Sequence, residues 1–206
     1  MTNIFIHGLW QKSDSWQETI DRIDDDFPAL CPDLLALLDG ARPIYSNLYQ
    51  AFCAYCDNQE GPFVLCGLSL GGILALHYTL DHPDKVEKLI IIGAQYKMPR
   101  LLLELQNFFF RFMPAPSFEK LGMSKSDMMG LTKSMASLNF SGLLAEITCP
   151  TLVACGERDK ANQKAARQLA RRIPGAELQV IENAGHEVNK DTPKKLAGVL
   201  YRFLGA

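Results

Sequence analysis

Apolar positions fall into short runs separated by glycine, proline and acidic turns, a spacing that predicts strands alternating with helices. Asn3-Ile4-Phe5-Ile6 is one such run, ended by His7-Gly8, and reads as a buried strand. After a polar loop from Gln11 to Ser15, residues Trp16 to Ile23 suit a short helix and Phe27 to Cys31 a second strand. Asp33 to Asp39 is an irregular or helical link closed by Gly40. Tyr45 to Asp57 predicts a helix with Leu48, Phe52, Tyr55 and Cys56 near one face, broken by Gly61-Pro62. Phe63-Val64-Leu65-Cys66 has no polar alternation, as expected of a parallel strand covered on both sides. A helix over Leu70 to Leu80 follows, with Ile73, Leu74, His77 and Leu80 assigned to its inner face. Lys88 to Ile92, Thr151 to Cys155 and Glu177 to Ile181 are three further strands. Ala161 to Ile173 is a helix stopped by Pro174-Gly175, and the last helix opens at Thr192-Pro193 and runs to Phe203.

Strand and helix in alternation imply an α/β fold: a mainly parallel sheet of six or seven strands with helices on both faces. One stretch breaks the alternation. Residues Ala94 to Glu146 hold no good strand. They carry a leucine- and aromatic-rich segment (Leu101 to Met113), a break at Pro114 and Pro116, and Met123, Met128, Met129 and Met135. Ser124 followed by Asp127 resembles a helix N-cap with an acidic third position. The expectation is two or three helices inserted as a lid over a pocket, with ordinary packing onto the sheet as the alternative.

Composition narrows the classes. With 206 residues, 48% of them hydrophobic, the chain suits one domain over residues 1–206. A formal net charge of −2 and the absence of a basic stretch argue against a nucleic-acid partner. The run Asp24-Asp25-Asp26 is short and isolated, so a solvated turn is expected there rather than a metal site. The N-terminus lacks a basic region and a cleavage site, and the apolar stretch Leu101 to Met113 is interrupted by Glu104, Gln106, Asn107 and Arg111. A cytoplasmic protein without stable membrane insertion is therefore expected. The six cysteines are expected as reduced thiols, with Cys53 and Cys56 read as small apolar residues on a helix. No cofactor and no metal is expected.

Gly67-Leu68-Ser69-Leu70-Gly71, extended by Gly72, has a strand running into it and a helix leaving it. Such a turn presents a serine hydroxyl at a helix N-terminus, where free N–H groups and the dipole favour a developing oxyanion. A serine needs a histidine base, and that base needs an acid to fix its tautomer. Of the four histidines, His77 lies inside a helix, His82 in the turn Asp81-His82-Pro83-Asp84, and His7 at the end of the first strand. His186 follows the last strand, at the sheet edge where Ser69 sits, and is the expected base. Asp159 in Gly156-Glu157-Arg158-Asp159 is the expected acid. Glu157 competes with it, and Asp33 is a more distant candidate. The oxyanion donors are expected to be the backbone N–H groups of Leu70 and Leu9, with Gly8 allowing the bend and His7 fixing the loop.

These segments resemble the signatures of the α/β-hydrolase superfamily: Ile6-His7-Gly8-Leu9-Trp10, Gly67 to Gly72, Cys155 to Asp159 and Asn183-Ala184-Gly185-His186, in the family's order across nearly the whole chain. Asp14-Ser15-Trp16 and Pro32-Asp33-Leu34 are similar to further landmarks. The resemblance implies a Ser69, Asp159, His186 triad with oxyanion donors Leu9 and Leu70, supported by Gly67 and Gly71. Two departures from the family pattern are expected: Asn3 to Ile6 would correspond to the family's third strand, without the usual leading hairpin before it, and Pro32-Asp33 continues as Leu34-Leu35-Ala36 rather than as a Pro-Gly-His-Gly loop. The expected activity is that of a carboxylesterase on a small-molecule substrate, an apolar acyl or aromatic ester. A thioester or carbon–carbon bond hydrolase on the same triad, and a binding protein that kept the fold without turnover, are the alternatives.

Overall fold

The computed structural model describes all residues except Met1, Asp25, Asp26, 100–102, 104–107, Phe109, Lys120, Leu121 and Ala206. Strands β1 (Asn3–Ile6), β2 (Ala29–Leu30), β3 (Phe63–Leu68), β4 (Val86–Ile92), β5 (Thr151–Gly156) and β6 (Glu177–Ile181) make one six-stranded sheet in the order β2-β1-β3-β4-β5-β6. Every neighbouring pair is parallel. The order reverses between β1 and β3, so the loops leaving their carboxyl ends diverge and open a crevice. Register brings those ends level: Ile6 lies opposite Gly67, Leu68 opposite Ile92, and Gly156 opposite Ile181.

Side-chain alternation along the strands divides the core in two. Ile4, Ile6, Leu65, Leu89, Ile91 and Val153 face α2 (Tyr45–Asp57), α3 (Leu70–Asp81) and α6 (Lys160–Arg172). Phe5, Val64, Cys66, Ile90, Ile92 and Leu152 face Trp16 and α8 (Pro193–Leu204), with Val188 of the short α7 (Val188–Asp191) between them. A strand clad on both sides needs apolar residues at every position, which is why β3 and the Leu89–Ile92 half of β4 are unbroken apolar runs, whereas Glu87 and Lys88 of β4 are only partly buried.

Three local expectations are corrected. The helix expected over Trp16 to Ile23 is a 3-10 turn at Ser13–Trp16 followed by the single-turn α1 (Gln17–Ile20). The strand expected over Phe27 to Cys31 shrinks to Ala29–Leu30, an edge strand preceded by Pro28, which has no N–H to give a ladder. On α3, His77 and Leu80 are the partly exposed positions, whereas Ile73 and Leu74 are buried. That helix is apolar nearly all round because it is covered on nearly all sides, so its sequence period did not reveal which face meets the sheet. On α2 the buried face carries Leu48, Phe52 and Cys56, with Tyr55 half-buried beside it. The six cysteines are unpaired.

Residues 94–146 leave the sheet after β4 and return before β5. The two ends of this insertion are tied by an antiparallel bridge between Lys97 and Asn139, flanked by bonds from Met98 N to Leu138 O (3.0 Å) and from Phe140 N to Tyr96 O (2.8 Å). Between them lie α4 (Pro116–Glu119) and α5 (Lys125–Ser134). Ser124 caps α5 by accepting from the Asp127 N–H at 3.1 Å, as its spacing predicts. Met123, Met128 and Met135 are buried. Much of the Leu101 to Met113 segment lies outside the described residues, as does most of the Asp24-Asp25-Asp26 run. Phe110 and Phe118 pack on Trp10 with ring centroids 5.5 Å away in each case. Among the described residues no helix is long and apolar enough to cross a membrane.

Candidate active site

Ser69 ends the turn from β3 into α3 with φ 54° and ψ −111°, a conformation that costs a non-glycine residue on the order of 1–3 kcal/mol. Close packing holds it there. A Cβ added to Gly71 would lie 2.2 Å from the carbonyl oxygen of Ile6, and one added to Gly67 would lie 2.2 Å from that of Gly71. Both obstacles are backbone, which has no rotamer to yield. Gly71→Ala should therefore destabilise the fold by about 1–3 kcal/mol or more, read as a lower urea midpoint at unchanged slope. An unchanged midpoint would show that the elbow has slack which this packing denies.

His186 stands above the serine, with its Nε2 3.0 Å from Ser69 Oγ. Its Nδ1 lies 2.8 Å from Asp159 Oδ2. A carboxylate accepts only, so Nδ1 carries the proton and Nε2 presents a lone pair to the serine hydroxyl. The imidazole is 44% exposed and the carboxylate 5%. The hydrogen bond that His186 donates to Asp159 lifts the His186 pKa above its ordinary value; burial opposes this, and the charges of Asp159 and Glu187 add to it. Burial pushes the Asp159 carboxyl up, but the hydrogen bonds from His186 and Asn162 outweigh it and leave the pKa lowered.

Glu157 and Asp33, the competing acids, are engaged locally. Glu157 Oε2 accepts from the Asn183 N–H at 3.0 Å, and Asp33 Oδ1 accepts from the N–H groups of Leu35 and Ala36 at 3.0 and 3.2 Å. The other histidines also have local partners. His7 Nδ1 donates to the Gly8 carbonyl (2.8 Å) and His7 Nε2 accepts from the Leu34 N–H (3.0 Å), which fixes one neutral tautomer. Burial lowers its pKa in keeping with that neutral form. His77 stacks on Tyr49 with centroids 3.7 Å apart, and His82 packs on Tyr78.

The loop after β1 passes directly beside the serine: a Cβ on Gly8 would lie 3.6 Å from Ser69 Cβ. Gln11 N donates to Gly8 O at 3.1 Å, closing a turn with Leu9 near its apex. Neither the Leu9 N–H nor the Leu70 N–H has a hydrogen-bond partner among the described residues, and Leu70 opens α3, where the first amides have no acceptor within the helix. Beside them is a cavity of about 460 Å³ lined by Leu9, Trp10, Ser69, Ile73, Met98, Leu103, Met135 and His186 among others. Met98, Leu103 and Met135 come from the insertion.

Residues 4–199 match the family described as the alpha/beta hydrolase family. The chain belongs to that family. Its curated relatives include a pimeloyl-[acyl-carrier protein] methyl ester esterase of Vibrio atlanticus, 23% identical over 89% of this chain and 86% of the relative. A monoacylglycerol lipase of Bos taurus is 22% identical over 98% of this chain and 75% of the relative. Among solved structures, an esterase from Exiguobacterium antarcticum superposes with a TM-score of 0.83 at 16% identity, over 100% of this chain and 92% of that one. Membership of the alpha/beta hydrolases supports hydrolase activity for this chain.

Three further residues shape the site: Asn162, Gln95 and Gly93. Asn162 Nδ2 lies 2.9 Å from both oxygens of Asp159, and Gln95 Nε2 donates to Asn162 Oδ1 at 2.8 Å. Asn162 Nδ2 also lies 3.2 Å from His186 Nδ1, but both are donors toward Asp159, so this is proximity and not a bond. Asn162 is three residues beyond Asp159 on the first turn of α6. A helix starting at Asp159 and carrying an amide at that offset would have been the only clue. Gly93, just past the end of β4, has φ +55° and leaves only 3.3 Å between a notional Cβ and His186 Nδ1.

Proposed function

We propose that this chain is a serine hydrolase that cleaves a small apolar or aromatic carboxylic ester through an acyl-enzyme. The supporting observation is the continuous relay from Ser69 Oγ to His186 (3.0 Å) to Asp159 (2.8 Å) at the wall of an apolar cavity. In this reading Ser69 attacks the ester carbonyl as its proton passes to His186 Nε2. Asp159 holds the imidazole and offsets the positive charge it gains. The N–H groups of Leu9 and Leu70 receive the oxyanion, helped by the positive end of α3. His186 then protonates the leaving alcohol, and water, activated by the same imidazole, releases the acid. The insertion acts as a lid whose Met98, Leu103 and Met135 take the acyl chain; methionine adapts to varied shapes. Esterase- and lipase-named relatives agree with an ester as the scissile bond.

The test is a fluorophosphonate probe together with p-nitrophenyl esters of increasing chain length. Wild-type protein should be labelled at Ser69 and should turn over short to medium chains. A folded wild type that neither labels nor turns over any ester would sink the proposal.

The pH profile follows from His186. The base must be neutral to accept the serine proton, and its pKa lies above the ordinary 6.5. Turnover should thus be full at alkaline pH and fall as pH drops through that raised value. Because the Glu187 charge adds to the shift, Glu187→Gln should move the acid limb of kcat/KM to lower pH. A limb that stays in place, or moves up, would contradict the assignment of His186.

A further inference from the structure

We infer that Gln11 and Asn189 form a positioning pair that sets the distance between the Leu9 turn and the His186 loop, an inference that rests on the serine-hydrolase reading above. Both side chains are buried, at 6% and 1% exposure. They meet amide to amide: Gln11 Nε2 donates to Asn189 Oδ1 at 3.0 Å, and Asn189 Nδ2 donates to Gln11 Oε1 at 3.2 Å. The rest of their capacity is spent on the two loops. Gln11 Oε1 accepts from the Gly8 N–H (3.4 Å) and from Ser15 Oγ (3.2 Å), so the turn carrying Leu9 is gripped by side chain as well as backbone. Gln11 Nε2 also donates to Glu187 Oε1 at 3.1 Å, and Glu187 directly follows His186. Asn189 Nδ2 donates to the Ser15 backbone carbonyl at 3.0 Å, and the Asn189 backbone carbonyl accepts from Thr19 Oγ1 at 3.2 Å.

Neither side chain hydrogen-bonds Ser69 or His186, and although Gln11 also lines the cavity, the pair acts through the loops it holds. Their placement is what matters. One loop supplies an oxyanion donor and the other supplies the base, and the tetrahedral centre must fit between them. Displacing either by a fraction of an ångström lowers the rate without blocking binding. Two apolar side chains would fill the same space. The buried amides instead accept only one relative orientation, since each donor faces an acceptor. Removing either amide strands the other, so the second removal should cost little more.

The experiment compares wild type with Gln11→Leu, Asn189→Leu and the double variant on p-nitrophenyl butyrate, with active sites counted by fluorophosphonate. A trifluoromethyl ketone of the same acyl length, which forms a tetrahedral adduct, reads oxyanion stabilisation separately. Each single variant should lose about 10- to 100-fold in kcat with KM nearly unchanged. Ketone affinity should fall by a similar factor, and the double variant should be no worse than either single. Wild-type kcat per active site with only a lowered melting temperature would overturn the inference, as would a rise in KM alone. If the leucine variants fail to fold, Gln11→Glu keeps the size but sets a second carboxylate against Glu187. It should lower kcat, and adding Glu187→Gln should recover part of the loss; no recovery overturns the pairing. A wild type inactive toward ester, ketone and probe alike would instead remove the hydrolase reading and this inference with it.

Discussion

Ser69→Ala should lower ester turnover by on the order of 10⁶-fold while leaving the fold intact. The hydroxyl's hydrogen bond in the structure is to His186 Nε2, on an exposed ring, so its loss removes little of the packing. The strained backbone is unaffected, because alanine suffers the same penalty as serine at φ 54°. Melting temperature should therefore stay close to wild type even as the acyl-enzyme is lost. The measurement is steady-state turnover alongside a thermal melt. Residual activity within about a hundredfold of wild type would mean that another nucleophile, or a water activated by His186, carries the reaction.

Asp159→Asn should cost about 10⁴-fold in kcat, the size expected when the base is held in the wrong tautomer. The local geometry says which tautomer that is. Asn162 Nδ2 sits 2.9 Å from each oxygen of Asp159, so an introduced amide would turn its oxygen toward Asn162 and its NH₂ toward His186. His186 Nδ1 would then accept, Nε2 would carry the proton, and nothing would remain to take the serine proton. The same change removes the interaction that lifts the His186 pKa, so the acid limb of the residual activity should move down in pH. Glu157→Gln is the control. The oxygen of glutamine still accepts from the Asn183 N–H, so its turnover should remain within a few-fold of wild type. A larger loss in Glu157→Gln than in Asp159→Asn would transfer the role of acid to Glu157.

What the sequence made legible was mostly local. Phe63 to Gly72 carries strand, tight turn and helix in ten residues, and each depends on near neighbours alone. His186 and Asp159 were reachable because a parallel sheet sends every strand's carboxyl end to one edge, so a residue after a strand has a predictable address. Illegible features were those decided by distant partners. The facing of α3 depends on what covers it, and a helix apolar nearly all round gives no clear period to read. Gln11 lies in a loop and Asn189 in the single-turn α7, and in such short polar segments a buried role looks the same as a solvated one until the segments meet. Asn162 on α6 likewise gains part of its meaning from Gln95, which the fold brings in from the segment after β4. The shortening of β2 reflects its place at the sheet edge, which composition does not announce.

The tied neck of the insertion has a further consequence. Because Tyr96 to Met98 and Leu138 to Phe140 are zipped together, the chain leaves and re-enters the core at nearly one point. Whatever lies between can lengthen, shorten or be exchanged with little strain on β4 or β5. For an engineer this is a socket. Under the proposed function, chimaeras joined at Lys97 and Asn139 should change substrate preference, provided that the new segment repacks Trp10, on which Phe110 and Phe118 sit.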